Sequence, residues 1–481
     1  MASMSTVLPL CLGLLLFLQV STASVSFGGS PLQSASRGFR GGDQQASQQQ
    51  CRFEHLAAVE ATHQQRSEAG FTEYFNTEAR NEFRCAGVNV RRMVVESKGL
   101  VLPTYANAHK LVYIVQGRGV LGIAMPGCPA TFQQMATASS DEAQMSTQKL
   151  MDEHQQLQQF SQGDLIAIPA GVAHWLYNNG DSPVEFYMAG KPRSSWQQHP
   201  YQAEQQSNNQ NIFAGFNPDM LAEALGVSRQ TVIRLQGQND QRGAIIRVEH
   251  GLQAVQPSLQ TEPAREEQAQ EEYVPEQEQP SSWSSQRASS WGQQNGLDEI
   301  MCASKLRKNI NNPQSTDVFN PRGGRITRAN SQNFPILNTI QMSATRTVLQ
   351  NNALLTPHWT MNAHTVMYVT AGQGCIQVVD HRGRSVFDGE LRQQQILLIP
   401  QNFVVSVKAQ REGFAWVSFK TNHNAIDSQI AGKASVLRAL PVDVIANAYR
   451  LSREESRSLK FNRGDEMAVF APRNGEQTYT E

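Results

Sequence analysis

Residues 163–178 read Gly-Asp-Leu-Ile-Ala-Ile-Pro-Ala-Gly-Val-Ala-His-Trp-Leu-Tyr-Asn, and this stretch decides the fold. An apolar run of strand length lies between the turn-forming pair Gly163-Asp164 and the turn Pro169-Ala170-Gly171. A second run of strand-forming residues follows and ends in the turn signal Asn178-Asn179-Gly180. The stretch therefore predicts a strand, a tight turn and a second strand, with a single imidazole, that of His174, just past the turn.

The spacing of the turn residues around His174 is specific. The pattern Gly-x5-Pro-x-Gly-x2-His-x3-Asn resembles the second sequence motif of the cupin superfamily at every position. The resemblance implies an antiparallel β-barrel whose interior holds a metal in the active members. His174 stands at the place of a metal ligand, so the functional question is whether its co-ligands are present.

The second half of the chain repeats the pattern of the first. Residues 117–119 match 372–374, residues 165–169 match 396–400, and residues 183–189 match 413–419. Short apolar runs separated by Gly, Pro and Asn turns are typical of antiparallel barrels and sandwiches. We therefore predict a mainly β protein with two cupin-type antiparallel β-barrels (jelly rolls), each followed by a small helical arm.

The arms show helix start and stop signals. In the first arm, Asn217 and the proline after it begin a helix that Gly226 ends, and Ser228 opens a second short helix. In the second arm, residues 441–450 read as a helix and residues 452–455 as a capping box.

The expected ligand positions of both barrels are largely occupied by other residues. In active cupins the first motif carries His-x-His and then a Glu seven residues before a turn glycine, which corresponds here to Gly117 and Gly372. In the first copy, the three first-motif positions hold Pro103, Tyr105 and Lys110. In the second copy, they hold His358, Thr360 and Thr365. The second-motif histidine is His174 in the first copy and Val405 in the second.

Each barrel therefore keeps one ligand of four, His174 or His358. One neutral imidazole cannot hold a catalytic divalent metal against water. We predict no cofactor, no metal and no catalytic residue, and expect both histidines to be packed or hydrogen-bonded remnants. His109 and His364, which stand in equivalent Asn-Ala-His positions, are expected to be structural as well.

Composition bounds the class of protein. The 481 residues carry a net charge of -1 with only 17% charged residues, which predicts no electrostatic affinity for nucleic acid or anionic membranes. An apolar run over residues 7–20 followed by small residues predicts a secretory signal, and no later stretch is apolar enough to cross a membrane. The chain begins with a predicted signal peptide (1–23) and a disordered segment (24–50). A first cupin domain with its arm follows (51–250), and it contains an exposed, mobile insertion (about 133–159). A disordered linker (251–295) leads to the last part (296–481), which holds a second cupin domain (about 303–465) and a flexible tail.

Five cysteines remain after removal of the signal, in an oxidising compartment, and none forms a Cys-x-x-Cys pair. Two disulfides and one free thiol is the economical interpretation, and the residues alone do not fix the pairing. Cys375 follows a turn and begins a strand, so we expect it to be a buried free thiol, with intermolecular bridging as the alternative.

The junction Asn295-Gly296-Leu297-Asp298-Glu299, followed closely by Cys302, completes a resemblance over essentially the whole mature chain. With the duplicated barrel and the cysteines, the chain resembles the 11S globulins, the legumin-type seed storage proteins. The resemblance implies cleavage after Asn295 by an asparaginyl endopeptidase, and the disulfides Cys51–Cys85 and Cys128–Cys302.

The same resemblance implies a function. A secretory precursor would assemble as a trimer, be cut between Asn295 and Gly296 into an acidic and a basic chain, and form homo- or hetero-hexamers in seed storage vacuoles. The charges agree, because residues 296–481 hold about 21 Lys and Arg against about 15 Asp and Glu, while the rest of the chain is acidic. Two alternatives stay open: a metal-dependent bicupin enzyme and a cupin that binds a small ligand.

Overall fold

The computed structural model describes residues 51, 53–75, 81–125, 130–133, 153–155, 157–192, 211–237, 240–252 and 304–472. Several expectations lie outside these residues. They are the signal peptide, the segment 24–50, nearly all of the linker 251–295, the tail beyond residue 472, the junction at Asn295 and Gly296, and the cysteines Cys128 and Cys302.

The first half of the described chain is mainly β. Its strands are β1 (His63–Ser67), β2 (Gly70–Tyr74), β3 (Asn89–Val95), β4 (Gly99–Thr104), β5 (Ala108–Gln116), β6 (Arg118–Ala124), β7 (Ala130–Gln133), β8 (Glu153–Gln155), β9 (Leu157–Ser161), β10 (Asp164–Ile168), β11 (Ala173–Tyr177), β12 (Val184–Pro192) and β13 (Ile245–Arg247). Its helices are α1 (Asn81–Ala86), a 3-10 turn (Ile212–Gly215), α2 (Pro218–Leu225) and α3 (Arg229–Gln236).

The second half follows the same plan. Its strands are β14 (Arg307–Asn309), β15 (Val318–Asn320), β16 (Gly324–Ala329), β17 (Ser343–Leu349), β18 (Leu354–Thr360), β19 (Thr365–Val379), β20 (Ser385–Arg392), β21 (Ile396–Ile399), β22 (Val404–Lys420), β23 (Asp427–Gln429) and β24 (Val469–Phe470). Its helices are a 3-10 turn (Pro313–Ser315), α4 (Leu337–Ile340), α5 (Val436–Ala439), α6 (Val442–Tyr449) and α7 (Arg453–Phe461).

In the described residues the pairings between the strands named above are all antiparallel, as the turn-rich pattern predicts. In the first half one sheet has the order β1-β2-β3-β12-β5-β10-β14 and a second has the order β13-β4-β11-β6-β9. In the second half the long strands β19 and β22 pair along most of their length and run through both walls of the barrel. The mainly β, two-barrel prediction is confirmed.

The stretch with which the sequence analysis opened forms β10, a turn and β11. All five residues of β10 are buried, which explains its unbroken apolar run. Gly163, before β10, has a φ of +87°, and an added Cβ there would lie 2.4 Å from the Cβ of Asn311. Glycine is therefore required both by the backbone conformation and by the close approach of a segment from the other half.

Each barrel receives a segment of the other half. β14 pairs with β10, so that Leu165 lies opposite Lys308, and Leu306 and Ile310 are fully buried in the core of the first barrel. In return, Val59 forms a two-way backbone bridge with Ile396 of β21 in the second barrel. The sequence did not predict this reciprocal exchange of strands.

The two barrels also share a core. One continuous apolar cluster contains residues of both halves, among them Tyr187 and Tyr368, whose rings stack with centroids 3.3 Å apart. Both rings are fully buried. Burial raises the pKa of both phenols, so they are neutral at any physiological pH.

Several local expectations need correction. The end of the predicted insertion is not a loop, because β8 and β9 lie within it and β9 pairs with β6. The match of residues 372–374 to a turn is also wrong in detail. The chain passes Gly372 as a bulge within β19, with φ +71°, so the strand bends rather than ends. The sequence analysis did not predict the helix α1.

Candidate functional site

The ring of His174 lies inside the first barrel, on β11. Its Nδ1 is 3.0 Å from the carbonyl oxygen of Val172, to which it donates, so its Nε2 is the acceptor of the neutral ring. Burial, with the ammonium of Lys110 as a smaller cause, lowers the pKa of His174 to about 3. The imidazole is therefore neutral throughout the physiological range.

The co-ligand positions of the first barrel do not converge on His174. Lys110 is buried and places a cation where an active cupin has a carboxylate. Pro103 and Tyr105 are exposed, Tyr105 to 52%. A cation and two exposed side chains at the ligand positions do not fit a divalent metal in this barrel.

His358 occupies the corresponding interior of the second barrel, on β18. Its Nδ1 donates to the carbonyl oxygen of Thr356 at 3.0 Å, and Val405 of β22 lies opposite it in the ladder. Burial lowers the pKa of His358, which the carboxylate of Asp427 only partly offsets. This ring, too, is neutral and has a free acceptor nitrogen at Nε2.

A buried ion pair that the sequence did not reveal lies beside His358. The ammonium of Lys420 binds the Oδ1 of Asp427 and also donates to the Oγ1 of Thr360 at 3.1 Å. The Thr360 hydroxyl in turn donates to Asp427 Oδ1 at 2.7 Å. Burial opposes ionisation of Asp427, but Lys420 and the hydrogen bonds outweigh it, so the pKa of this carboxyl lies well below its usual range.

These groups border a cavity of about 50 Å³ inside the second barrel. It is lined by the hydroxyls of Thr347, Thr365 and Ser418 and by apolar side chains such as Val405 and Trp416. At about 10–15 Å³ per water this space holds roughly three to five waters, or a solute of a few non-hydrogen atoms.

Neither barrel assembles a metal centre. Among the residues that the structure describes, no three His, Cys, Asp or Glu side chains cluster closely enough to hold a metal ion. In the second barrel the carboxylate nearest His358, that of Asp427, is already bound by Lys420. The first-motif positions after His358 carry the hydroxyls of Thr360 and Thr365, which are weak ligands when neutral.

His109 and His364 have matching structural roles. The Nδ1 of His109 accepts a hydrogen bond from the backbone N–H of Ala170 at 3.1 Å, in the turn between β10 and β11. The Nδ1 of His364 accepts one from Gln401 N–H at 3.1 Å, in the equivalent turn. Each ring holds the turn of the second motif, in agreement with the structural role expected from sequence.

The sequence analysis missed Lys420 and Asp427. The signal for Lys420 was a charged residue at the end of the apolar run 413–419, where a cation is buried only with a partner. Its partner could not be found, because Asp427 reaches the site through the pairing of β23 with β18.

The structure contains the Cys51–Cys85 disulfide that the resemblance implies, with Cα atoms 5.7 Å apart. The thiol of Cys375 is free, as expected, but it is exposed and not buried. Side chains alternate along β19, and the neighbours Gly374 and Ile376 are buried while Cys375 faces outward.

In the described part of the chain, no helix is long and apolar enough to cross a membrane.

Comparison with known proteins places these barrels in context. Residues 57–233 and 308–457 match the family model described as Cupin. Glutelin type-A 1 of rice (Oryza sativa subsp. japonica) is 48% identical over 469 residues, which cover 92% of this chain and 90% of the relative. The 12S seed storage globulin 2 of oat (Avena sativa) is 47% identical over 466 residues, which cover 90% of this chain and 89% of the relative.

A solved structure agrees with these relatives. The coconut allergen cocosin superposes with a TM-score of 0.73 at 43% identity, and the match covers 88% of this chain and all of that one.

Proposed function

Because this chain belongs to the 11S globulins, a cupin family that includes the cereal glutelins, we propose that it is a seed storage protein processed and assembled as a hexamer. Its role is to hold amino-acid nitrogen, in a chain rich in Gln and Asn, at a net charge of only -1 that favours dense packing. The observation that carries the proposal is the similarity to seed globulins over nearly the whole chain.

The processing step is cleavage between Asn295 and Gly296 by an asparaginyl endopeptidase. The sequence around this bond is the family's junction, and the charge changes sign across it. The disulfide Cys128–Cys302 would then link the acidic to the basic chain. The route runs through the endoplasmic reticulum, after removal of residues 1–23, to the protein storage vacuole.

The described residues support a product whose chains stay together. After the cut, β14 belongs to the basic chain but lies in the sheet of the first barrel. The carboxylate of Asp164, fully buried, binds Arg307 at 3.1 Å and Asn309 at 2.9 Å across this boundary. The hydrogen bonds of Asp164 and the buried side chain of Leu306 hold β14, near the start of the basic chain, against the first barrel.

The helical arms support assembly. α2 buries Leu221 and α6 buries Ile445, yet both helices also carry apolar residues on their outer sides. The exposed apolar residues of the two arms are Met220, Leu225, Val227, Ile233, Leu235, Val436, Val444, Tyr449, Leu459 and Phe461. Exposed apolar side chains gathered on short helices are typical of an interface, so we assign the arms to head-to-tail contacts in a closed trimer.

The test of the proposal is the size of the assembly before and after cutting. We expect the purified precursor to be a trimer and the product of asparaginyl endopeptidase to be a hexamer, in size-exclusion chromatography with light scattering. Asn295→Ala should resist the protease and stay trimeric, whereas the adjacent Gln294→Ala should be cut and form hexamers. Hexamers formed equally well by uncut Asn295→Ala protein would contradict the proposed switch.

A further inference from the structure

The cavity of the second barrel has an excess of positive charge. Lys420 and Arg328 both border it, and Asp427 is the one carboxylate among its lining residues. The charges of Lys420 and Asp427 pair with each other, which leaves the guanidinium of Arg328 as the surplus charge of the lining. Arg328 is half-buried, and a partly desolvated cation attracts an anion more strongly than one in open water, because its field is less screened.

The register of the sheet places the two cations on one face. Arg328 of β16 pairs with Thr345 of β17, and Thr345 pairs with Ser418 of β22. Lys420 lies two residues beyond Ser418 and therefore points to the same side. In the described part of the chain, the Arg328 side chain takes part in no ion pair, so its guanidinium is free to bind a ligand.

The rest of the lining suits a ligand with an apolar end. Hydroxyls of Thr347 and Ser418 supply neutral hydrogen bonds, while Met367, Val405 and Trp416 form apolar walls. Few positioned polar groups among apolar walls are the usual composition of a small-molecule site. The volume of about 50 Å³ limits the ligand to a few non-hydrogen atoms.

We propose that the second barrel binds a small organic monocarboxylate, whose carboxylate lies against Arg328 and Lys420 and whose short carbon chain packs on Val405 and Trp416. The Nε2 of His358 accepts a hydrogen bond from a hydroxyl of a hydroxy acid where one is present. The site is independent of storage and of the processing of the chain. Its counterpart in the first barrel differs, because Lys110 replaces Thr365 and Pro103 replaces His358.

The test is a titration of the full-length, extensively dialysed protein with propionate, measured by calorimetry and by ligand-observed NMR. Three probes with the same three-carbon skeleton separate the causes: propionate is anionic, 1-propanol neutral and propylamine cationic. We expect one saturable propionate site per chain with a dissociation constant of about 1 mM or tighter. Propanol should bind at least about tenfold more weakly, and propylamine should not bind.

Matched variants locate the site. Arg328→Gln should weaken propionate binding about tenfold, because it removes a charge-assisted hydrogen bond. Arg325→Gln, on the opposite face of the same strand, should leave the binding unchanged. Val405→Phe should abolish it by filling the cavity, and circular dichroism shows whether each variant is folded. The proposal is overturned if the wild-type protein shows no saturable propionate site, or if propanol binds as well as propionate, and neither result depends on a variant.

Discussion

The two barrel histidines are buried and neutral, so the stability of the folded protein depends on the pH. In the unfolded chain a histidine binds a proton below about pH 6.5, whereas folded His174 resists protonation until about pH 3. Since the unfolded state binds more protons between these values, the contribution of His174 to stability is full above pH 6.5 and falls as the pH is lowered towards 3.

Replacement of His174 tests this directly. We expect His174→Val, which copies Val405 of the second barrel, to fold and to lose less stability on acidification. The difference should reach about 3 kcal/mol between pH 7 and pH 4, from the shift of the pKa. Urea unfolding followed by tryptophan fluorescence at each pH measures it.

Leu176→Val, in the same strand, provides the control, because it changes no titratable group and should lower the free energy of unfolding equally at every pH. Parallel curves for wild type and His174→Val would mean that His174 is not held neutral in the folded state.

For single residues, the sequence predicted which positions of the cupin metal site lack a ligand, but it did not predict the Lys420–Asp427 ion pair. The positions of His174 and His358 follow from fixed offsets to turn glycines, which are local. The pairing of Lys420 with Asp427 depends on β23 folding back onto β18, which no local signal encodes. The burial of Cys375, though not its free thiol, was predicted wrongly, because side chains alternate along a strand and a shift of one residue exchanges buried for exposed.

Among the elements, the exchanged strands matter most for the processed protein. Leu306 is fully buried beside β14, and Asp164 binds two residues of that strand. If the chain is cut as proposed, reduction of the proposed Cys128–Cys302 disulfide would leave a large non-covalent contact between the two products.

We expect the cleaved protein to stay in one piece in reducing buffer and to separate only in denaturant. Native size-exclusion chromatography after treatment with dithiothreitol measures this. Leu306→Asp places a charge in the apolar core, which costs several kcal/mol, and its cut, reduced chains should separate. Lys305→Asp makes the exposed neighbour acidic and should behave as the wild type. Dissociation of the wild type by reductant alone would show that the disulfide, and not β14, holds the chains.

The helices were the most predictable elements, and the exchanged strands the least. Asn217 caps α2, Gly226 ends it in the left-handed conformation, and Ser452 forms the predicted capping box with Glu455. These signals lie within a few residues of the structure they determine. The partner of β10, by contrast, is β14 in the other half of the chain. Nothing in its three residues indicates with which strand they pair.

For the whole molecule, we propose that the exposed apolar residues of the arms form the contacts between subunits of the trimer. We expect Met220→Glu combined with Val444→Glu to convert the trimer into monomers at micromolar concentration, since burial of two charges opposes association. Light scattering gives the mass. Phe319→Glu is the matched control, because Phe319 is 70% exposed but lies on β15, outside the arms. A trimer that persists in the double variant would place the interface elsewhere.

The exchange of strands also has a consequence for synthesis on the ribosome. Arg307 follows Asp164 by 143 residues, so the free edge of β10 emerges long before the strand that covers it. At about 5–20 residues per second the delay is roughly 7–30 s. During that time the nascent first barrel presents an unpaired edge, which invites pairing with neighbouring chains. Crowded translation of such a protein thus calls for a chaperone that shields one strand edge until the second half arrives.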